Sequence, residues 1–189
     1  MSSSKFPSFF KFKQNYLNIN PLPSLSIGGK PSQILNSAID RIVMQSDCAV
    51  VVAGGNSDEN ACNQSPANAP TAIAVGNIDE FDRKHGSSNW GPCISLYAPG
   101  TKIRSAGLKN NFDSIVMTGT SMSAPFVAGA LARLRTEMPY LNAMQCKQVL
   151  VRRATRKAVR NTQVNYFWNM FPWNWGRGMV DSTILYVGP

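Results

Sequence analysis

From residue 22 onward the apolar residues fall into short continuous runs that alternate with stretches of helical spacing. Leu22 to Ile27 reads as a strand running into Gly28-Gly29, after which Ile34, Leu35, Ala38, Ile39, Ile42 and Val43 keep helical spacing as far as Gln45. Cys48 to Ala53 is a valine-rich run that stops at Gly54-Gly55-Asn56, the pattern of a strand buried on both faces of a parallel sheet. Strand, helix and strand in that order predict a right-handed crossover. Asp58 to Pro70 is polar and turn-rich, Ala72 to Val75 predicts a short strand, Ile78 to Ser88 a charged loop, and Ile94 to Tyr97 another strand. Ala98-Pro99-Gly100 turns the chain, and Ile103 to Ala106 and Ile115 to Met117 are short β pieces. From Met122 to Leu134 no charge appears before Arg133, so a helix apolar nearly all round is predicted there, buried and ended by Pro139. Asn142 then predicts the cap of a second helix with Cys146, Val149, Leu150 and Ala154 on its apolar side. Strands alternating with helices argue for an α/β, doubly wound parallel sheet. Residues 1–21 carry no period and read as an irregular basic and aromatic extension ahead of one unit over 22–189.

Composition narrows this picture. At 189 residues and 43% apolar content, the chain can bury one sizeable core, and its length asks for no second domain. No apolar run reaches the ~18 residues of a membrane span, so no membrane partner is expected. Lys5, Lys11 and Lys13 interrupt Phe6, Phe9, Phe10 and Phe12, and no secretion signal is recognisable. The net charge of +9 is uneven, with two basic and five acidic residues over 51–100 against twelve and three over 101–189. Arg152, Arg156 and Arg160 at i, i+4 and i+8, with Lys147, Arg153 and Lys157 nearby, predict one cationic helix face. Without interleaved aromatics this reads as a solvated face, and nucleic acid is not expected as a partner. Cys48, Cys62, Cys93 and Cys146 match no metal-ligand spacing. Cys48 and Cys146 fall on buried strand and helix positions and read as inert thiols.

The candidate chemistry lies in Gly119-Thr120-Ser121-Met122-Ser123-Ala124-Pro125-Phe126-Val127-Ala128-Gly129-Ala130. A tight turn opens directly onto the apolar helix, with Thr120 or Ser121 expected as its cap and Pro125 in its first turn, where a missing N–H costs nothing. A hydroxyl at a positive, rigidly held helix end suits a serine nucleophile with backbone N–H groups aimed at an oxyanion. The turn alone favours a capped core helix, since Ser and Thr caps are common.

The longer string GTSMSAPFVAGALA resembles the serine motif of the subtilisin-like proteases, usually GTSMAxPHVAG. Ser123 stands for the usual Ala and Phe126 for the usual His, and neither position is catalytic in that family. Leu25-Ser26-Ile27-Gly28-Gly29 resembles the family's substrate strand and Val52-Ala53-Gly54-Gly55-Asn56 its oxyanion asparagine segment. Asn63 to Ala67, Ala74-Val75-Gly76, Ser88 to Gly91, Tyr97 to Gly100 and Gly176 to Val180 resemble further segments in the same order. The likeness covers roughly residues 22–186, is nearest to the proteinase K group, and implies the subtilisin-like fold without its N-terminal part.

The resemblance implies a serine endopeptidase acting on peptide or protein substrates through an acyl-enzyme. Ser121 would be the nucleophile and Asn56 an oxyanion-hole donor. Ser26, Ile27 and Gly28 would face Ala53, Gly54 and Gly55 across a pocket for a large apolar side chain. The same glycines also fit a purely structural role in turns and close packing. His85, the single histidine, lies in a charged loop that aligns with a noncatalytic stretch, and is not expected to be the base. The family's HGTHVAG helix and earlier aspartate motif have no counterpart, so this chain alone is expected to be nearly inactive and to leave strand edges unpaired. A noncatalytic peptide-binding remnant of the fold is the alternative. Cys62 and Cys93 resemble loops joined by a disulfide in some proteinase K relatives. Pro70 and Ala72 match positions whose carbonyls bind calcium there, but Ser95 replaces the aspartate, so calcium and other cofactors are not expected. The resemblance further implies a monomer in an extracellular or secretory, lysosomal-type compartment.

Overall fold

The computed structural model describes residues 21–156 and 158–160. Four parallel strands form the main sheet in sequential order: β1 (Ser24–Leu25), β2 (Val51–Ala53), β3 (Ile73–Ile78) and β4 (Leu96–Pro99). Ser24 aligns with Val51, Val51 with Ile73, and Val75 with Leu96. The valine run is buried as its pattern predicts, with Val50, Val51 and Val52 fully enclosed between Ile39 and Val43 and the helices described below.

Helix α1 (Gln33–Ser46) makes the crossover from β1 to β2. Its N-cap is Ser32, whose Oγ accepts the Leu35 N–H at 3.3 Å, and it ends at Asp47 in the left-handed conformation. Only Ile39 and Val43 of its apolar positions are fully buried; Ile34 is 85% exposed and Ala38 is exposed as well, so the core face is narrower than the spacing predicts. The other two sheet connections hold no α-helix, only a short 3-10 turn at Ala61–Asn63, and the first of them carries Asn56. After β4 comes an antiparallel hairpin, β5 (Ile103–Ala106) with β6 (Ser114–Met117), whose apolar residues Ile115, Val116 and Met117 are exposed.

Helix α2 (Thr120–Glu137) packs against all four sheet strands. It is not buried all round. Ser123, Ala124, Val127, Leu131 and Leu134 form the inner stripe, while Pro125, Phe126 and Gly129 face outward. Helix α3 (Ala143–Arg153) packs on α2 and α1 and begins with a capping box, the Asn142 and Gln145 side chains each bonding the other's backbone N–H at 2.9 Å. Cys146, Leu150 and Ala154 are buried and Val149 half-buried, as expected of its apolar side.

The cationic helix face is not formed. Because α3 ends at Arg153, Arg156 and Arg160 leave the helical register, and the Arg160 backbone instead pairs with the loop of Asp82 and Lys84. Lys147 turns inward to the carbonyls of Pro70 and Ala72. The extension up to residue 20, Lys157 and the segment Gly176 to Val180 lie outside the described residues.

Candidate active site

The site is built where α2 starts. Thr120 and Ser121 are both helical and Gly119 is the N-cap, without a side-chain cap bond. This corrects the expectation of a hydroxyl cap, and the reason is long-range. The orphan N–H of Thr120, which a local cap would take, donates to Asn56 Oδ1 at 2.9 Å, and the Thr120 hydroxyl donates to the same oxygen at 3.1 Å. That hydroxyl in turn accepts the Gly55 N–H at 3.2 Å, so Thr120, wholly buried, ties the loop after β2 to the helix. A backbone N–H is only a donor, so the amide oxygen of Asn56 must face it. The Asn56 Nδ2 group is thereby turned outward, and it has no partner among the described residues.

Pro125 is the sixth residue of α2, not part of its first turn. Lacking an N–H, it leaves the carbonyl of Ser121, four residues earlier, without its helical donor. Ser26 Oγ donates to that carbonyl at 3.1 Å. A proline that looks misplaced in the helix therefore creates the acceptor that couples residue 26 to residue 121. The Ser121 N–H lies in the first helical turn, where no intrahelical acceptor exists, and among the described residues nothing bonds the Ser121 hydroxyl.

The two glycine segments differ in physical type. A Cβ on Gly54 would come within 2.5 Å of Ile94 Cδ1 and 2.8 Å of the Val75 carbonyl oxygen, while Gly55 sits at φ 101° against Asn89 and Gln64. Packing and a left-handed backbone require glycine at both. Gly28 would meet only Gln64 Oε1 at 3.7 Å, and Ser26, Ile27 and Gly28 are exposed just past the end of β1. Asn89, fully buried, was missed by sequence reading. Its Nδ2 donates to the Gly54 carbonyl and to Gln64 Oε1, and its Oδ1 accepts from the Ser57 and Glu59 N–H groups. Ser123, the departure from the usual Ala, is fully buried and donates to the Ala98 carbonyl at 3.0 Å. A groove of about 400 Å³ runs beside Ser121 and Met122, between Pro125 and Phe126 of α2 and the β5–β6 hairpin.

His85 stays in its own loop, with Nδ1 3.0 Å from Ser87 Oγ and its backbone N–H on the Asn77 carbonyl. The neighbouring Lys84 is buried and donates to Asp58 Oδ1 at 2.8 Å and to the Ser88 carbonyl at 2.9 Å, which pins the loop down. Cys62 and Cys93 form a disulfide with Cα atoms 5.2 Å apart. Cys48 and Cys146 are free and buried; burial pushes the Cys48 thiol up, against the opposing pull of Arg135. Among the described residues no cluster of three or more His, Cys, Asp or Glu could hold a metal ion, and no helix is long and apolar enough to cross a membrane.

The model of the subtilase family, peptidase family S8, matches residues 20–169. The chain belongs to the subtilase family. Among the subtilase relatives, it is 37% identical over 140 residues to an alkaline serine exoprotease A of Vibrio alginolyticus, covering 74% of this chain and 26% of that one. It is 42% identical over 109 residues to a cuticle-degrading serine protease of Arthrobotrys oligospora, covering 58% and 26%. An extracellular serine proteinase of a Thermus species is 36% identical over 138 residues, covering 73% and 33%. The crystal structure of a cold-adapted subtilisin-like serine proteinase superposes with a TM-score of 0.72 at 34% identity, over 82% of this chain and 56% of that one. This subtilase chain thus spans a quarter to a third of the length of the three curated relatives and about half of the solved structure, with which it shares the fold expected from its sequence.

Proposed function

We propose that the chain carries the nucleophile and oxyanion half of a serine endopeptidase, with Ser121 attacking a peptide carbonyl to form an acyl-enzyme. The observation that carries this reading is the Asn56 amide, locked by Thr120 with its Nδ2 donors turned outward beside the start of the Ser121 helix. Together with the Ser121 N–H it supplies two donors for an oxyanion; loss of such an asparagine costs about 10²–10³ in rate, a magnitude established on subtilisin itself. Ser26 to Gly28 would pair with an extended peptide, opposite Ala53 to Gly55 across the pocket for the side chain before the scissile bond. A base must stand within about 2.6–3.2 Å of the proton it removes. His85 is engaged elsewhere, so the base and the aspartate that orients it would come from outside the described residues, and the described part alone would be nearly inactive. The extracellular Thermus relative and the disulfide favour an oxidising, secreted setting.

A fluorophosphonate probe with peptide mapping tests this reading. Native material of confirmed full-length mass should be labelled at Ser121, and the isolated 189-residue chain should react far more slowly. Absence of labelling in the native material would overturn the protease reading in favour of a peptide-binding remnant.

A further inference from the structure

The carbonyl oxygens of Pro70 and Ala72, on the segment leading into β3, converge on one cation. It is the ammonium of Lys147, which donates to Pro70 O at 2.8 Å and also to Ala72 O. Convergent main-chain carbonyls are the donor set that hard metal cations such as calcium use, normally completed by a carboxylate. The residues present here do not fit calcium. Ser95 carries no charge, and its Oγ accepts the Ala74 N–H at 3.2 Å within the sheet. The nearby negative charge comes instead from Asp40 on α1, whose Oδ1 accepts both the N–H and the hydroxyl of Thr71, between the two carbonyls.

We infer that Lys147 is a built-in cation that occupies this carbonyl pair in place of a metal ion, joining α3 to the Pro70–Ala72 segment, which Thr71 ties in turn to Asp40 of α1. The arrangement accounts for three observations that are otherwise unrelated. Lys147 turns inward although Arg152 and Arg153 on the same helix are exposed, Thr71, between the two carbonyl residues, fixes the Asp40 carboxylate, and a neutral residue occupies position 95. Burial pushes the Lys147 amine down to about 8, with Asp40 opposing, which leaves it charged at neutral pH.

Acetylation of the folded full chain, read by mass spectrometry peptide by peptide, tests the inference without any substitution. Lys147 should react at least tenfold more slowly than the exposed Lys102 and Lys109, although its lowered pKa gives it the larger share of reactive neutral amine, because the carbonyls must release it first. Calcium should leave both that protection and the thermal midpoint unchanged. The double substitution Lys147→Ala with Ser95→Asp vacates the carbonyls and supplies a carboxylate, and should gain a saturable rise in midpoint with calcium. Acetylation of Lys147 at the rate of Lys102, calcium that releases Lys147 to the reagent, or a folded double variant indifferent to calcium would each overturn the inference. If the double variant does not fold, the labelling of the unaltered chain decides.

Discussion

Thr120→Val keeps the side-chain shape and removes only the hydroxyl. In the folded chain that hydroxyl is fully buried, accepts the Gly55 N–H and donates to Asn56 Oδ1. Gly55 cannot turn its N–H to another partner, because its backbone sits at φ 101° against Asn89 and Gln64. The cost is therefore a lost hydrogen bond plus a stranded donor, about 2–3 kcal/mol together. At 2–4 °C per kcal/mol for a chain of this size, the thermal midpoint should fall by about 4–12 °C. Thr120→Ser keeps both hydrogen bonds and loses one methyl group, at about 1 kcal/mol. Unfolding followed by circular dichroism, in heat and in urea, should rank the native chain above Thr120→Ser and that above Thr120→Val. In the valine variant the Asn56 side-chain amide resonances should also broaden, since one of its two anchors is gone. A Thr120→Val chain within about 0.5 kcal/mol of the native one, the range of an uninvolved surface change, would refute the network. So would a serine variant as unstable as the valine one.

Gly54→Ala and Gly55→Ala should each lose about 2 kcal/mol or more through overlap and backbone strain, whereas Gly28→Ala should leave the urea midpoint within error while weakening any peptide binding at that edge. Reducing the Cys62–Cys93 bridge, which closes a sequence separation of 31 residues, should cost about 3–4 kcal/mol on the loop-entropy estimate, read from urea melts with and without reductant. Burial alone would raise the Asp79 carboxyl, but hydrogen bonds from the Arg83 backbone and side chain and the Phe81 N–H outweigh it and hold it below its ordinary 3.8. Its contribution is thus present above that value and lost as pH falls through the depressed folded one, so Asp79→Asn should lower stability at neutral pH and flatten the acid limb, the two chains converging as pH falls below the folded value. His85→Gln should leave fluorophosphonate labelling of Ser121 in native material unchanged; a loss of labelling without a loss of stability would make His85 the base.

The core strands were legible because burial on both faces leaves a signal in each residue, as in Val50 to Val52. The start of α2 was not. A serine or threonine after glycine ordinarily reads as a cap, and here the cap's task is done by Asn56, 64 residues away, so Thr120 and Ser121 join the helix. The same distance hid Asn89, which bonds Gly54 from 35 residues away. Pro125 misled by local rule alone, since its compensation is the Ser26 hydroxyl, 95 residues earlier than Ser121. The arginine stripe failed for the opposite reason. Its spacing assumed a helix that continues, and backbone pairing of Arg160 with Asp82 and Lys84 ends that assumption at Arg153.

These long-range bonds share one consequence for Ser121. Its carbonyl, freed by Pro125, is held by Ser26; the residue before it is held by Asn56 and Gly55; and the residue two after it is held through Ser123 to Ala98. These neighbouring groups are engaged, while the Ser121 hydroxyl and the Asn56 Nδ2 have no partner among the described residues. A helix that needed only a stable start would gain nothing from leaving those two groups open. An oxyanion site needs its donors fixed before charge develops, because donors that must reorganise during the reaction return much of what they stabilise. On the proposed reading of Ser121 as nucleophile, Ser26, Asn56, Thr120, Ser123 and Pro125 act as one device for immobilising it rather than as five separate solutions to packing.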